Sequence, residues 1–355
     1  MKTFAFITIV SLAVLAAGIY NVAKTEEQPY SLRLRDIANK VNSMNTTWKA
    51  ALPHKFADIK DVSQVKVFLG TIIEEVSSLP DVSEFHSFNM GAVPDSFDSR
   101  VAWPKCDSIK EVRDQSNCGS CWAFGAAEAM SDRICIHSGQ KLQTRVSTED
   151  LLTCCVTCGA GCNGGNPSIA WKYWKNQGLV SGDLYTNDQM TDSKTCRPYA
   201  MPPCAHHTTS PTYQSCTGLP TYETPKCQKE CNSLYTTSDY KTDKTHAKSA
   251  YNVRGEANMK ADISTNGPIE VSVRVYEDFE TYTGGVYQHV TGKYLGGHAM
   301  KCIGYGTDAT TQQKYWLVTN SWNETWGESG YIRILRGVNE IGIENNNSAG
   351  MPLLN

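Results

Sequence analysis

The sequence predicts an α+β fold behind a small, mostly helical leader segment, and three observations carry that prediction. Residues 120–137 read as a buried helix, with Trp122, Phe124, Ala127, Met130 and Ile134 supplying the apolar content. Strand-like runs appear after Pro268, at 270–276, 298–305, 315–318 and 331–335. Helix comes early and strands late, with no strand–helix–strand alternation, which argues against a parallel α/β sheet.

The elements follow in chain order. Lys2 precedes an apolar run from Phe4 to Ala17, broken by Thr8 and Ser11, with Ala16, Ala17 and Gly18 behind it. A spanning helix needs about 20 apolar residues. This run is shorter and reads as a signal peptide over residues 1–17 rather than a membrane anchor. Residues 18–92 contain no cysteine. Leu34, Ile37, Val41, Met44 and Trp48 recur at steps of three and four, the pattern of one helix face. A second run, Val62, Val65, Phe68 and Leu69, ends at Gly70. Such a stripe needs a partner: the segment is either an independent helical domain or a pro-segment docked on residues 93–355. Beyond the strands and the helix lies a Pro-, Thr-, Ser- and Cys-rich stretch over 196–245, long enough for a functional loop and stapled by its cysteines.

Bulk properties narrow the function. The 33 Lys and Arg against 36 Asp and Glu leave a net charge of −3 with no basic stripe, which argues against a nucleic-acid partner. No second stretch approaches a membrane span. All fourteen cysteines fall between Cys106 and Cys302, and in a secreted chain they read as a disulfide framework. The pair Cys155 and Cys158 has zinc-like spacing, but no second pair follows it, so no metal and no cofactor is expected.

The chemistry concentrates at Gln115-Ser116-Asn117-Cys118-Gly119-Ser120-Cys121-Trp122. A thiol attacks as thiolate, and a helix N-terminus with a neighbouring imidazolium lowers its pKa. Cys121 stands where the helix begins, with Cys118 the better candidate for a bridge. Its base is a histidine distant in sequence. Among eight histidines, His298 opens a strand in Gly296-Gly297-His298-Ala299-Met300, and Asn320-Ser321-Trp322 follows as its orienting group. The Asn320 amide oxygen would hold the imidazole, Trp322 would shield that bond, and Gln115 with the Cys121 N–H would form an oxyanion hole. By strand alternation Cys302 shares a face with His298 and reads as a small buried residue.

The Cys-Gly-Ser-Cys-Trp string is the known signature of papain and cathepsin cysteine peptidases. The chain resembles the cathepsin B branch of that family from about residue 34 to 352. Phe97-Asp98-Ser99-Arg100, Cys162-Asn163-Gly164-Gly165, Cys196-Arg197-Pro198-Tyr199, Pro203-Cys204-Ala205-His206-His207 and Asn320-Ser321-Trp322 carry the likeness. It implies a papain-like two-lobed fold, a helical left lobe bearing the nucleophile and a β-barrel-like right lobe, with a helical propeptide. It also implies Cys121, His298 and Asn320 as catalytic residues and Gln115 in the oxyanion hole. Gly164, Gly165, Ala299, Trp322 and Asn346 would contact substrate. His206 and His207 would stand on an occluding loop over about 196–231 and receive a C-terminal carboxylate. Implied disulfides are Cys106–Cys135, Cys118–Cys162, Cys154–Cys227, Cys155–Cys158, Cys196–Cys231 and Cys204–Cys216. The segment around Asn45-Thr46-Thr47-Trp48 resembles the propeptide that covers the cleft. Implied partners are peptide and protein substrates, the chain's own propeptide and cystatin-like inhibitors, in the secretory pathway, lysosome or extracellular space.

Departures from the family pattern carry their own expectations. His206 and Asp114 keep one loop clasp, but Thr325 replaces the aspartate of a second, and residues 204–216 contain no arginine. A more mobile loop and a larger endopeptidase share are expected. Asn346 replaces a pocket glutamate, so apolar side chains should outrank arginine there. About five extra residues precede Cys196. Asn45 and Asn323 head glycosylation sequons, as does Asn346, where proximity to the cleft disfavours a glycan. Two rival functions share these residues, a catalytically inactive binding scaffold and an oxidoreductase using Cys118 and Cys121 as a redox pair.

Overall fold

The computed structural model describes residues 29–51, 61–185, 194–206 and 210–354. The proposed signal peptide, most of the insertion before Cys196, and His207 lie outside the described residues. In chain order the helices are α1 (Tyr30–Ser43), α2 (Ser63–Lys66), α3 (Ser99–Ala102), α4 (Cys121–His137), α5 (Thr148–Cys154), α6 (Pro167–Gln177) and α7 (Glu256–Asn266). The strands are β1 (Trp48–Ala50), β2 (Phe97–Asp98), β3 (His246–Val253), β4 (Ile269–Tyr276), β5 (Tyr282–Tyr287), β6 (Tyr294–Thr307), β7 (Lys314–Thr319), β8 (Tyr331–Leu335) and β9 (Asn347–Leu353).

Helix α4 is buried on every side from Cys121 to Ile136, which explains why its sequence is apolar without a polar stripe. It packs in one core with Leu151, Leu152, Trp171 and Trp174. Local signals delimit its neighbours. Ser147 caps α5 through the Asp150 N–H, Asn166 caps α6 with Pro167 in its first turn, and Gly178 ends α6 at φ 71°. The strands form a second core, ordered β1-β5-β8-β7-β6-β4-β9-β3 with β2 on β6. Neighbours along β8-β7-β6-β4 are antiparallel, and β5 joins β8 in parallel. Helical core and strand core meet where the N-terminus of α4 faces β6.

A buried cation joins the two cores. Arg133 on α4 pairs with Asp262 on α7 and donates to Tyr251 Oη at 2.8 Å, Pro268 O at 2.7 Å and Gly267 O at 2.9 Å. Removing one partner of such a pair strands a desolvated charge. Arg133→Ala is therefore expected to cost about 3–5 kcal/mol, measured as a lower urea midpoint of the intact chain.

The N-terminal segment differs from its expected helical stripe. Leu34, Ile37, Ala38 and Val41 are buried along α1, but the helix stops at Ser43 and Met44 is extended and 41% exposed. Trp48 lies in β1, paired with Gly285, with its indole N–H on Gln288 O at 2.9 Å and its ring on Tyr287. A four-residue step fits a helix and an extended strand start alike, so spacing did not separate them. At Gly285 (φ 97°) an added Cβ would lie 2.4 Å from Thr47 O, so the close approach of β1 requires glycine.

Candidate active site

Cys121 is the first residue of α4. The chain reaches it through Gly119, whose N–H donates to Cys162 O at 2.9 Å and where a Cβ would meet that same oxygen at 2.4 Å. The Cys118–Cys162 disulfide closes this turn. The thiol thus sits at the positive end of a buried helix. Across the cleft His298 stands on β6, opposite Val273 of β4. Its Nε2 is 2.7 Å from Asn320 Oδ1, which also accepts from the Ser321 N–H at 2.8 Å. The other ring nitrogen, Nδ1, is left for Cys121. The Trp322 ring lies 4.8 Å from the imidazole, and all four side chains are buried.

Electrostatics follow from this pairing. Burial pushes the Cys121 thiol up, but the neighbouring His298 charge and the Thr71 hydroxyl bring it down to about 7. Burial presses on the imidazolium in the opposite sense, yet Cys121 and Asn320 leave His298 above its ordinary value. Burial drives Glu270 well above the carboxylate range. Its Oε2 accepts from the Trp171 indole at 2.8 Å.

Gln115 completes the site. Its Oε1 accepts from Ser321 Oγ at 2.8 Å and the Trp322 indole at 3.2 Å, which fixes the amide with Nε2 turned toward the cleft. Nε2 donates to Cys118 O at 2.8 Å and to Phe68 O at 3.0 Å. A carbonyl from the N-terminal segment therefore occupies the donor expected to hold an oxyanion.

That segment runs through the whole cleft. The Gly70 N–H lies 3.3 Å and Thr71 Oγ1 3.2 Å from Cys121 Sγ. Gly165 N–H donates to Gly70 O at 2.8 Å, Ile72 N–H to Gly165 O at 3.0 Å, and Thr71 N–H to Gly297 O at 3.1 Å. Phe68 packs edge-on against His206 and Trp322 at one end. At the other, Asn346 Nδ2 donates to Glu74 O and Glu75 O at 3.0 and 3.1 Å.

The remaining predicted residues are placed as follows. Gly164, at φ 113°, and Gly165 abut Gly70 and the Trp122 ring, where side chains would collide. Ala299 is buried beside His298 on β6. Six disulfides link Cys106–Cys135, Cys118–Cys162, Cys154–Cys227, Cys155–Cys158, Cys196–Cys231 and Cys204–Cys216, leaving Cys121 and Cys302 free and buried. His206 is buried with Nε2 on Asp114 Oδ1 at 2.9 Å, which ties the loop down, and its ring packs against Phe68 of the segment in the cleft. The loop also has a tie that the sequence reading lacked. Asn323 Nδ2 donates to Asp114 Oδ2 at 2.7 Å and Cys204 O at 2.6 Å, while Thr325 fixes its oxygen. The loop is thus held by Asn323 as well as by His206. Asn323 is 2% exposed with its amide nitrogen engaged, which disfavours a glycan there, whereas Asn45 is exposed.

Comparison with known proteins decides the family. Residues 93–351 match the family model described as papain family cysteine protease. The chain belongs to the papain family. It is a cysteine peptidase with a papain-like α+β fold. "Cathepsin B-like cysteine proteinase 6" of Caenorhabditis elegans is 42% identical over 100% of this chain and 95% of its own length. A "Cathepsin B-like cysteine proteinase" of Schistosoma japonicum is 43% identical over 86% of each. Among solved structures, "proCathepsin B S9 from Trypanosoma congolense" superposes with a TM-score of 0.75 at 34% identity, covering 90% of this chain and 98% of its own.

Several residues at the site escaped the sequence reading. Ser321 was quoted only as part of a motif, although its hydroxyl orients Gln115. Gly70 ends an apolar run in the sequence, and its fit against the loop, where an added Cβ would lie 1.8 Å from Gly119 O, comes only from the fold. Arg274 and Glu75, which pair at the far end of the cleft, had no local signal.

Proposed function

We propose that the chain is the latent precursor of a secretory or lysosomal cathepsin B-like peptidase that acts as an endopeptidase and removes C-terminal dipeptides. In this reading residues 1–17 are a signal peptide, 18–92 a pro-segment and 93–355 the peptidase domain. One observation carries it: the Cys121–His298–Asn320 chain and the Gln115 amide converge on one point, now filled by the 68–73 segment.

The Cys121 thiolate attacks the substrate carbonyl, and Gln115 Nε2 with the Cys121 N–H stabilises the oxyanion. The His298 imidazolium protonates the leaving amine, after which water, deprotonated by His298, hydrolyses the thioester. Asn320 holds the ring without adding charge. Substrate takes the places of Gly70 and Ile72 against Gly165, and its leaving side faces Trp322. His206 and Asp114 keep the loop across that side, where His207 would meet a terminal carboxylate. Cystatin-like proteins would compete for the same cleft.

The test is to activate the precursor in acid and assay a peptide with a free C-terminal carboxylate beside its amidated twin, with a thiol-directed epoxide as control. Epoxide-sensitive dipeptide release from the free acid alone supports the peptidase assignment and a working loop. Equal internal cleavage of the two peptides overturns the loop's role, and no cleavage of either overturns the peptidase assignment.

A further inference from the structure

Resting on the peptidase reading above, we infer that Arg274 makes the pocket for the second residue before the scissile bond select carboxylate side chains, so that peptides carrying Glu there are preferred substrates. Arg274 lies on β4 opposite Gly297, which precedes His298 on β6. Its guanidinium extends over Gly342, with Nη1 2.7 Å from the point a Cβ would occupy. Gly342 (φ 85°) is thus the seat that lets the cation reach the pocket. Ser272, Arg274, Gly342 and Asn346 line one small depression, with Ile73 and Glu74 of the pro-segment on its other side.

The charge balance of this pocket is one-sided once the pro-segment leaves. Among the described residues, the acidic partner of Arg274 is Glu75, at 3.4 Å and with its side chain 87% exposed. That partner belongs to the segment removed on activation. Asn346 at the pocket wall is neutral. The nearby Glu344 is committed, accepting from the Trp316 indole at 3.0 Å, Gly337 N–H at 2.6 Å and Asn339 N–H at 3.1 Å. Arg274 itself remains one-third exposed, close enough to water to be populated without a partner yet able to meet a side chain entering the depression. The segment that fills the cleft carries this complementarity in its sequence, apolar at Ile72 and Ile73 and acidic at Glu74 and Glu75. Glu74 in turn accepts from Asn166 Nδ2 at 2.7 Å on the opposite wall. A peptide carboxylate can therefore pair with a fork that otherwise faces solvent, whereas a peptide Arg meets like charge.

The test uses the processed enzyme and four reporter peptides differing at that position alone: Glu, Gln, Phe and Arg. The Glu peptide is expected to exceed its Gln isostere in kcat/KM by about tenfold, the yield of one partly solvated charge-assisted bond. That margin should shrink in high salt, with Arg the poorest of the four. Arg274→Gln should bring the Glu to Gln ratio near unity, and Arg274→Lys should keep much of it. The Phe peptide reports whether each variant still turns over. Glu no better than Gln, or a preference that survives Arg274→Gln, overturns the inference. Failure to cleave any of the four peptides would instead remove the peptidase reading on which it rests.

Discussion

Replacing Cys121 by alanine is expected to abolish hydrolysis, by roughly 10⁴-fold or more, while leaving the precursor folded and uncut by itself. The sign of the pH dependence follows from the pair. Cys121 is lowered to about 7 against the opposing effect of burial, so the thiolate is present above that pH and lost below it. Gly70 and Thr71 act on the sulfur in two opposed ways, burying it and hydrogen-bonding to it. The alkylation rate of Cys121 by iodoacetamide should therefore rise through a midpoint near 7. In His298→Ala the imidazolium is gone and the midpoint should move up to the ordinary thiol range of about 8.5 or beyond. An unchanged midpoint in that variant would exclude the thiolate–imidazolium pair.

Latency should depend on a single glycine almost as strongly. An added Cβ at Gly70 would lie 1.8 Å from Gly119 O and 2.5 Å from its carbonyl carbon, both backbone atoms of the loop that sets the nucleophile. Neither can yield as a flexible side chain would. Gly70→Val should displace the 68–73 segment from the cleft, and overpacking of roughly 1–3 kcal/mol corresponds to about ten- to hundredfold more open precursor. The unprocessed chain would then hydrolyse a small reporter peptide before any cut is visible on a gel. A Gly70→Val precursor as silent as the unmodified one, with a normal epoxide titre after processing, would show that this contact does not impose latency.

How much was legible depended on whether the signal was local. The helix at Cys121 and four of the late strands were readable because apolar runs of the right length leave few alternatives, and their observed bounds shift by at most a few residues, whereas β5 and β9 had no such run and were missed. The leader segment was misread where period alone had to decide. Trp48 continues the α1 stripe numerically but pairs with Gly285, 237 positions away, a contact that no window of sequence contains. The same limit hid Arg274, whose meaning comes from Gly342 and Glu75, and Asn323, whose sequon obscured its burial beneath the loop. Resemblance to a family supplied residue roles, but it is the folded packing that decides whether an amide is free for a glycan.

The pro-segment is held at several separated places. Arg33 on α1 donates to Glu277 at 2.5 and 2.7 Å, β1 pairs with β5, and residues 68–73 fill the cleft. An intramolecular inhibitor of this kind owes its occupancy to effective concentration, since each contact keeps the next within millimolar reach. A single cut between Ala51 and Asp61 would separate the two halves and cancel that avidity without altering any residue that touches Cys121. The N-terminal piece could then be lost on dilution, while the 68–73 segment, still joined to the peptidase domain, would hold the cleft by its own weaker affinity alone. Activation on this scheme is a threshold event, governed by the first break in a tether rather than by gradual erosion of the inhibitor.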